Sequence, residues 1–445
     1  MLPRRFVYTL WLTVFCPVAA QAQLVDKLQA EPAAVQLSSF GQAKQLLSAH
    51  QPRLQLQAAA VARAHGQVEQ AMSQLLPRLE LGVGADYGLI RRTVASPETR
   101  KFDTRNLIPS GTATLAITFS LARLAQIDSA ELQVDAETRG LAAVRHQLIG
   151  ALASTVLGVL SAERVAARNA DGYAAAQERM RLTQRLLEVG RVTAVDALRF
   201  SQDLSEAQSE LVSAVEALSQ AREALGVALG VREPVGIAAE LDVQTLLPQN
   251  GADCRPIAEL DARPDRQAAQ LRVDQARAAA SGARLAYLPE LRFSSTYLAR
   301  LSPAVEATGE GVREVINDWS ARANLVWTVY DGGQRSAEVA RADVEAFRLR
   351  AEQEQVIIDS AQERRRSQRL VTVARANLEV AQSSVDAARK LDQLSRKALE
   401  LGSASALEVV DAARRLPAVE TTLALREVEE LAARVDARLA LAICE

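Results

Sequence analysis

Few residues in this chain have the type and spacing to do chemistry. Glu408 and Asp411 stand three apart in a stretch of helical periodicity, which sets two carboxylates on one helix face. Repeated around a pore, such a pair forms stacked acidic rings of the kind that favour cations. On a lone helix the same spacing describes a solvated face. His50, His65, His146, Cys16, Cys254 and Cys444 stand outside metal-ligand spacing of one another, so no zinc, haem or iron–sulfur motif is spelled out. Gly82, Gly84 and Gly88 lack the spacing of a dinucleotide loop and precede no helix, so they read as strand glycines. Asp331-Gly332-Gly333 reads as a strand-to-helix turn rather than a phosphate cradle. With no nucleophile–base pair either, the chain reads as a non-enzyme without metal or cofactor.

Composition points the same way. The 445 residues carry 52 Lys+Arg against 54 Asp+Glu, a formal net charge of −2, and the cations alternate with acids along helical faces. That balance argues against a nucleic-acid partner. Aromatics make up only 4%, while small and straight-chain residues dominate, the profile of long, closely packed helices.

Residues 1–22 read as a secretory signal. Arg4 and Arg5 precede an apolar run from Phe6 to Val18, and Ala20-Gln21-Ala22 supplies the small-x-small cleavage pattern. The run is short for a membrane anchor, and Phe15 before Cys16 argues against lipid attachment. The mature chain then keeps Cys254 and Cys444 in an oxidising compartment, where a disulfide between them is allowed. No later segment reads as a spanning helix. The best candidate, Leu148–Ala162, is interrupted by Ser154, Thr155 and Ser161, so membrane insertion would have to use strands.

The chain is written twice. Pro52 and Pro264, Leu76-Pro77 and Leu288-Pro289, and Leu187-Glu188-Val189-Gly190 and Leu399-Glu400-Leu401-Gly402 all recur at an offset of 212. The first repeat covers residues 23–230, a linker covers 231–256, and the second repeat covers 257–445. Each repeat reads as a helix (about 40–75; about 257–286), two strands, and a long helical stretch turned at a glycine near 190 or 402. The strands are expected at about 79–88, 111–121, 290–299 and 318–330. Leu81, Val83, Ala85 and Tyr87 alternate with Gly82, Gly84 and Asp86, and Ala321, Ala323, Leu325, Trp327 and Val329 with polar neighbours. Leu89–Ser110 and Ser302–Asn317 read as external loops, and Tyr87, Tyr297, Trp319 and Trp327 as belt aromatics or ordinary packing.

The helices show steps of three and four: Leu141, Val144, Leu148, Leu152, Val156, Val159, then Ala424, Val428, Leu431, Val435, Leu439. A helix from Ala130 to Leu187 would be roughly 85 Å long at 1.5 Å per residue, so coiled-coil hairpins are expected, with Pro417 kinking or unwinding the last helix. Four strands cannot close a barrel, and an open edge is forbidden in lipid. If these strands are in a membrane, several copies must share one barrel.

Together these phrases resemble the TolC-type outer-membrane efflux protein family. Arg263-Pro264-Asp265, the two Leu-Pro strand entries, Trp327-Thr328-Val329-Tyr330-Asp331-Gly332-Gly333 and the paired Leu-Glu-x-Gly tips carry the likeness across the mature chain. The resemblance implies a mostly α fold with a small membrane β part: a trimeric α/β-barrel channel of long coiled-coil hairpins and four β-strands per protomer. It implies a passive exit duct for a tripartite efflux pump or type I secretion system, in the outer membrane and extending into the periplasm. The implied partners are two further copies, outer-membrane lipid, a periplasmic adaptor and an inner-membrane transporter of RND or ABC type. Glu408, Asp411 and, in the first repeat, Asp196 would then form the gate, with Arg199 at the fourth position. Val189, Gly190, Arg191, Leu401, Gly402 and Ser403 would form the adaptor-docking tips. Ala404 stands where a basic residue locks a gate of this family, so the lock differs here. A periplasmic coiled-coil adaptor or scaffold is the alternative, though it leaves the doubled strand pair unexplained.

Overall fold

A computed structural model describes residues 33, 35–94, 100–190, 192–238, 254–256, 259–305, 311–401, 403 and 406–444. The expected signal segment, most of the linker, and the tip residues Arg191 and Gly402 lie outside them. Seven α-helices and eight strands are described: β1 (Val35–Leu37), α1 (Phe40–His50), α2 (Pro52–Ser73), β2 (Arg78–Val94), β3 (Arg100–Phe119), α3 (Leu121–Glu188), α4 (Ala194–Leu229), β4 (Val235–Ile237), β5 (Cys254–Pro256), α5 (Pro264–Leu285), β6 (Glu290–Val305), β7 (Gly311–Val326), α6 (Gln334–Glu400), α7 (Ala406–Leu439) and β8 (Ala442–Cys444).

The chain divides into two compact units, and each draws on both repeats. One unit holds Leu54–Val144 and Glu259–Ser360; the other holds Met1–Arg53, Arg145–Ala258 and Ala361–Glu445. The two compact units therefore do not coincide with the two sequence repeats.

In the first of these units α2, α5 and the adjoining parts of α3 and α6 lead into a sheet. Alanines let the helices come close: Ala269, Val273, Ala276 and Ala280 of α5 are buried at steps of three and four. A Cβ on Gly282 would lie 3.2 Å from that of Ala125 on α3. The sheet is four-stranded and antiparallel, two hairpins side by side in the order β2-β3-β6-β7. Its strands outrun the alternation, because β2 continues to Val94, β3 starts at Arg100, β6 reaches Val305 and β7 starts at Gly311. Much of the stretches expected as loops is thus hairpin ladder, with Arg92 opposite Phe102 and Pro303 opposite Arg313. At its other end β7 stops at Val326, short of Trp327 and Val329.

In the second unit α1, α4, α7 and parts of α3 and α6 bury Leu47, Leu152, Val156, Val159, Leu225, Leu229 and Val435. Residues 121–185 of α3 include a window long and apolar enough to cross a bilayer by composition. Leu148, Ile149, Leu152, Ala153, Val156, Leu157 and Val159 in that region are buried in the protein, which accounts for their apolarity. The expected first helix breaks at Gln51 (φ −71°, ψ 114°), since Pro52 pushes its predecessor out of the helical region. Helix α7, by contrast, runs through Pro417, and the facing position on α3 is Gly172, where a Cβ would lie 3.7 Å from that of Pro417.

Helix α4 ends in a Schellman cap. Gly230 sits at φ 79°, Val231 N–H donates to Gly226 O at 2.9 Å and Gly230 N–H to Val227 O at 3.1 Å. The buried Gln51 side chain donates a further bond to Ala228 O at 2.7 Å.

Candidate functional site

The sheet sorts its side chains by face. Register sets Leu79, Leu115, Ser295 and Ala321 in one cross-strand row, and Leu81, Ala113, Tyr297 and Trp319 in the next. On this face Leu79, Leu81, Val83, Tyr87, Leu107, Leu115, Phe119, Phe293, Tyr297, Val315, Trp319 and Leu325 are exposed, Val83 at 95%. The opposite face carries Glu80, Thr114, Thr296 and Ser320 in one row, with Gly82 opposite Thr112. Thr114 and Thr296 hydroxyls meet at 3.4 Å. One apolar and one polar face on strands of 16 to 20 residues is the pattern of a wall between lipid and water. Among the described strands, β2 and β7 are each paired on one side only.

The strands are anchored to helices by local chemistry. Asp331 accepts from the backbone N–H of Gly333 (3.1 Å) and Arg335 (3.0 Å) and from Arg335 Nε (2.6 Å), which builds the expected turn between β7 and α6. Arg335 also stacks 4.7 Å from the Tyr287 ring centroid. Trp327 Nε1 donates to Tyr287 O at 3.0 Å, and Trp319 Nε1 to Ser295 Oγ at 3.1 Å.

At the hairpin turn of the first repeat, Gly190 adopts φ 70° with open space around it, and Val189 is exposed. At the second, Leu401 is 83% exposed and Ser403 closes the end of α6 through N–H and Oγ bonds to Ala398 O. Asp196 is the N3 residue of a capping box. Its carboxylate accepts from Thr193 Oγ1 at 2.7 Å and Thr193 N–H at 3.3 Å, while Thr193 Oγ1 accepts from Asp196 N–H. Those bonds, followed by the charge of Arg199, hold the Asp196 carboxyl below the usual carboxylate range. Asp411 pairs with Arg415 at 2.8 Å on an exposed face, and Glu408 stands in the first turn of α7, where an acid also complements the helix dipole.

The alternation and the glycine turns were readable directly. The capping box was readable too: Thr193-Ala-Val-Asp196 recurs 212 residues later as Ser405-Ala-Leu-Glu408. Periodicity could not reveal Asp203, which is buried and accepts from Arg179 Nη2 at 2.9 Å and Arg414 Nε at 2.8 Å. Among the described residues, no group of His, Cys, Asp or Glu side chains could hold a metal.

A sheet with one exposed apolar face and one polar face, in a chain of very long helices, is an architecture of the membrane-channel class. The sequence profile of the outer membrane efflux protein family matches residues 43–231 and 258–442, and the chain belongs to that family. Solved structures share the fold at low identity. CusC matches with a TM-score of 0.75 and 17% identity, over 90% of this chain and 91% of that one. CmeC of Campylobacter jejuni, an outer membrane channel, matches at 0.74 and 15%, over 90% and 85%. The open-state MtrE channel of Neisseria gonorrhoeae matches at 0.69 and 17%, over 90% and 88%. A search of curated proteins returned no match. The chain is an outer-membrane exit duct, placed in the outer membrane and extending into the periplasm.

Proposed function

We propose that three copies of this chain close one twelve-stranded barrel and form a passive, gated duct, with a periplasmic adaptor joining it to an inner-membrane transporter of RND or ABC type. The observation that carries this reading is the sheet: its apolar face is exposed in register across all four strands, and among the described strands β2 and β7 are each paired on one side only. Unpaired backbone groups cost several kcal/mol each in hydrocarbon, so neighbouring copies must supply the missing ladders. A soluble scaffold would bury that face instead.

The helices support the same assembly. Val373, Val380, Leu394 and Leu401 recur at multiples of seven and are 53%, 67%, 65% and 83% exposed, a seam of coiled-coil type awaiting a neighbour. In the closed trimer Glu408 and Asp411 make the gate rings. Asp196, held by Thr193 and Arg199, adds a partly neutralised charge beside them. Val189, Gly190 and Arg191, with Leu401, Gly402 and Ser403, present the turns that an adaptor hairpin meets. Such a lumen reads little beyond size and charge, so the transporter selects the cargo.

The test is imaging of detergent-extracted protein by negative stain beside membrane fractionation. A three-fold tube with a detergent belt, recovered with the outer membrane, supports the proposal. A soluble, beltless rod overturns it.

A further inference from the structure

We propose that Cys254 and Cys444 are joined by a disulfide that staples the C-terminal strand to the segment entering the second repeat. The two residues are 190 positions apart in sequence, yet the β5·β8 register sets them directly opposite one another, with Arg255 facing Ile443 and Pro256 facing Ala442. Directly opposed residues of an antiparallel pair have Cα atoms about 4.5 or 5.5 Å apart. Both spacings fall within the roughly 4.4–6.8 Å that a disulfide spans.

Two further observations favour a bond. The chain has three cysteines, and the third, Cys16, lies in the apolar run read above as a secretory signal, so the exported chain would carry one matched pair. The ladder is also too short to hold by itself. It has three residue pairs, one of them Pro256, which has no N–H to donate. Isolated two-stranded pairs are marginal even when longer. A cross-link closing a loop of this length restricts the unfolded chain strongly. It would fix the strand that follows α7 to the strand that precedes α5, enclosing the whole helical hairpin of the second repeat.

The oxidant is a protein disulfide of the envelope's dithiol–disulfide oxidoreductases. One cysteine thiolate attacks that disulfide, forming a mixed disulfide and releasing one donor thiolate. The second cysteine thiolate then displaces the donor's other sulfur. Two electrons pass to the donor, which leaves as a dithiol after taking up the two protons.

The inference requires export but not the trimer, so its failure and that of the channel proposal are separable. Protein from the outer-membrane fraction, quenched in acid and denatured with a maleimide-polyethylene glycol, should show no added mass before reduction and two adducts after it. Digestion without reductant should give a Cys254–Cys444 linked peptide. Two adducts without reduction, or a covalent dimer on a non-reducing gel, would overturn the proposal. Cys254→Ser, Cys444→Ser and the double variant should lower the thermal midpoint by the same several degrees, since each removes the same bond. Additive losses would count against it, and the thiol count on the unaltered chain decides the matter even where a variant fails to fold.

Discussion

Arg414 of α7 donates a 2.8 Å hydrogen bond from Nε to the buried carboxylate of Asp203 on α4, joining the two repeats across 211 residues. Arg179 of α3 binds the other oxygen at 2.9 Å, and Arg414 also reaches Glu206 at 2.8 Å. The acids hold the Arg414 guanidinium pKa above its usual value, Asp203 foremost through its hydrogen bond. Three helices of one unit are thus tied at a single carboxylate.

Replacing Asp203 by Ala should therefore destabilise that unit. Breaking a buried pair costs about 3–5 kcal/mol. The Arg414 side chain is 38% exposed, so solvent reduces the loss to about 2 kcal/mol. A lowered thermal midpoint for Asp203→Ala, with Glu206→Ala much less affected, is the expected result of calorimetry.

Gly230→Ala should be worse than its small volume suggests. Its φ of 79° disfavours any Cβ, and the added carbon would lie 2.6 Å from the His50 carbonyl oxygen, a backbone atom that cannot swing aside. A loss of about 2 kcal/mol or more is expected, read as reduced folded yield and a lower unfolding midpoint. Gly190→Ala has the same backbone strain but open space, so its loss should be smaller.

Asp196→Ala should loosen the first turn of α4. Its folded carboxyl titrates below the ordinary 3.8 because the Thr193 bonds favour the ionised form. The stabilisation is therefore complete above pH 3.8 and is lost as acid protonates the folded group. Amide exchange across residues 194–198 should be faster in the variant at neutral pH, and the two proteins should converge in stronger acid.

Val380→Glu tests the exposed seam of α6. The side chain is 67% exposed within one chain, so a monomer should tolerate it. Light scattering in detergent should give three times the chain mass for the parent, as the proposed trimer requires, and a mass falling towards a single chain for the variant.

The combined change Glu408→Gln and Asp411→Asn removes the negative charge assigned to the gate without altering size. In planar-bilayer recordings the preference for cations over anions should drop several-fold. An unchanged preference would return both residues to a solvated helix face.

How much was legible in the sequence follows from how local each signal is. Face and turn are short-range patterns, and Leu81, Val83 and Tyr87 do share the exposed face with Trp319. Strand ends were harder, because a ladder can continue after its faces stop alternating. Arg91, Arg92 and Thr93 pair with Phe102, Lys101 and their neighbours although no apolar period marks them. Trp327 shows the reverse: the apolar pattern continues, but the chain is already turning towards Asp331 and α6. The Asp203 tie is invisible to any window, since it forms only when residues 24 and 211 positions away are packed beside it.

The half-paired strands β2 and β7 also have a genetic consequence. In the trimer proposed above, a chain whose sheet is completed by its neighbours shares their fate once they have joined. With equal synthesis of sound and defective subunits mixing at random, roughly one trimer in eight would be wholly sound. An allele that still associates but spoils the wall should therefore act dominantly, whereas one that cannot associate should be recessive.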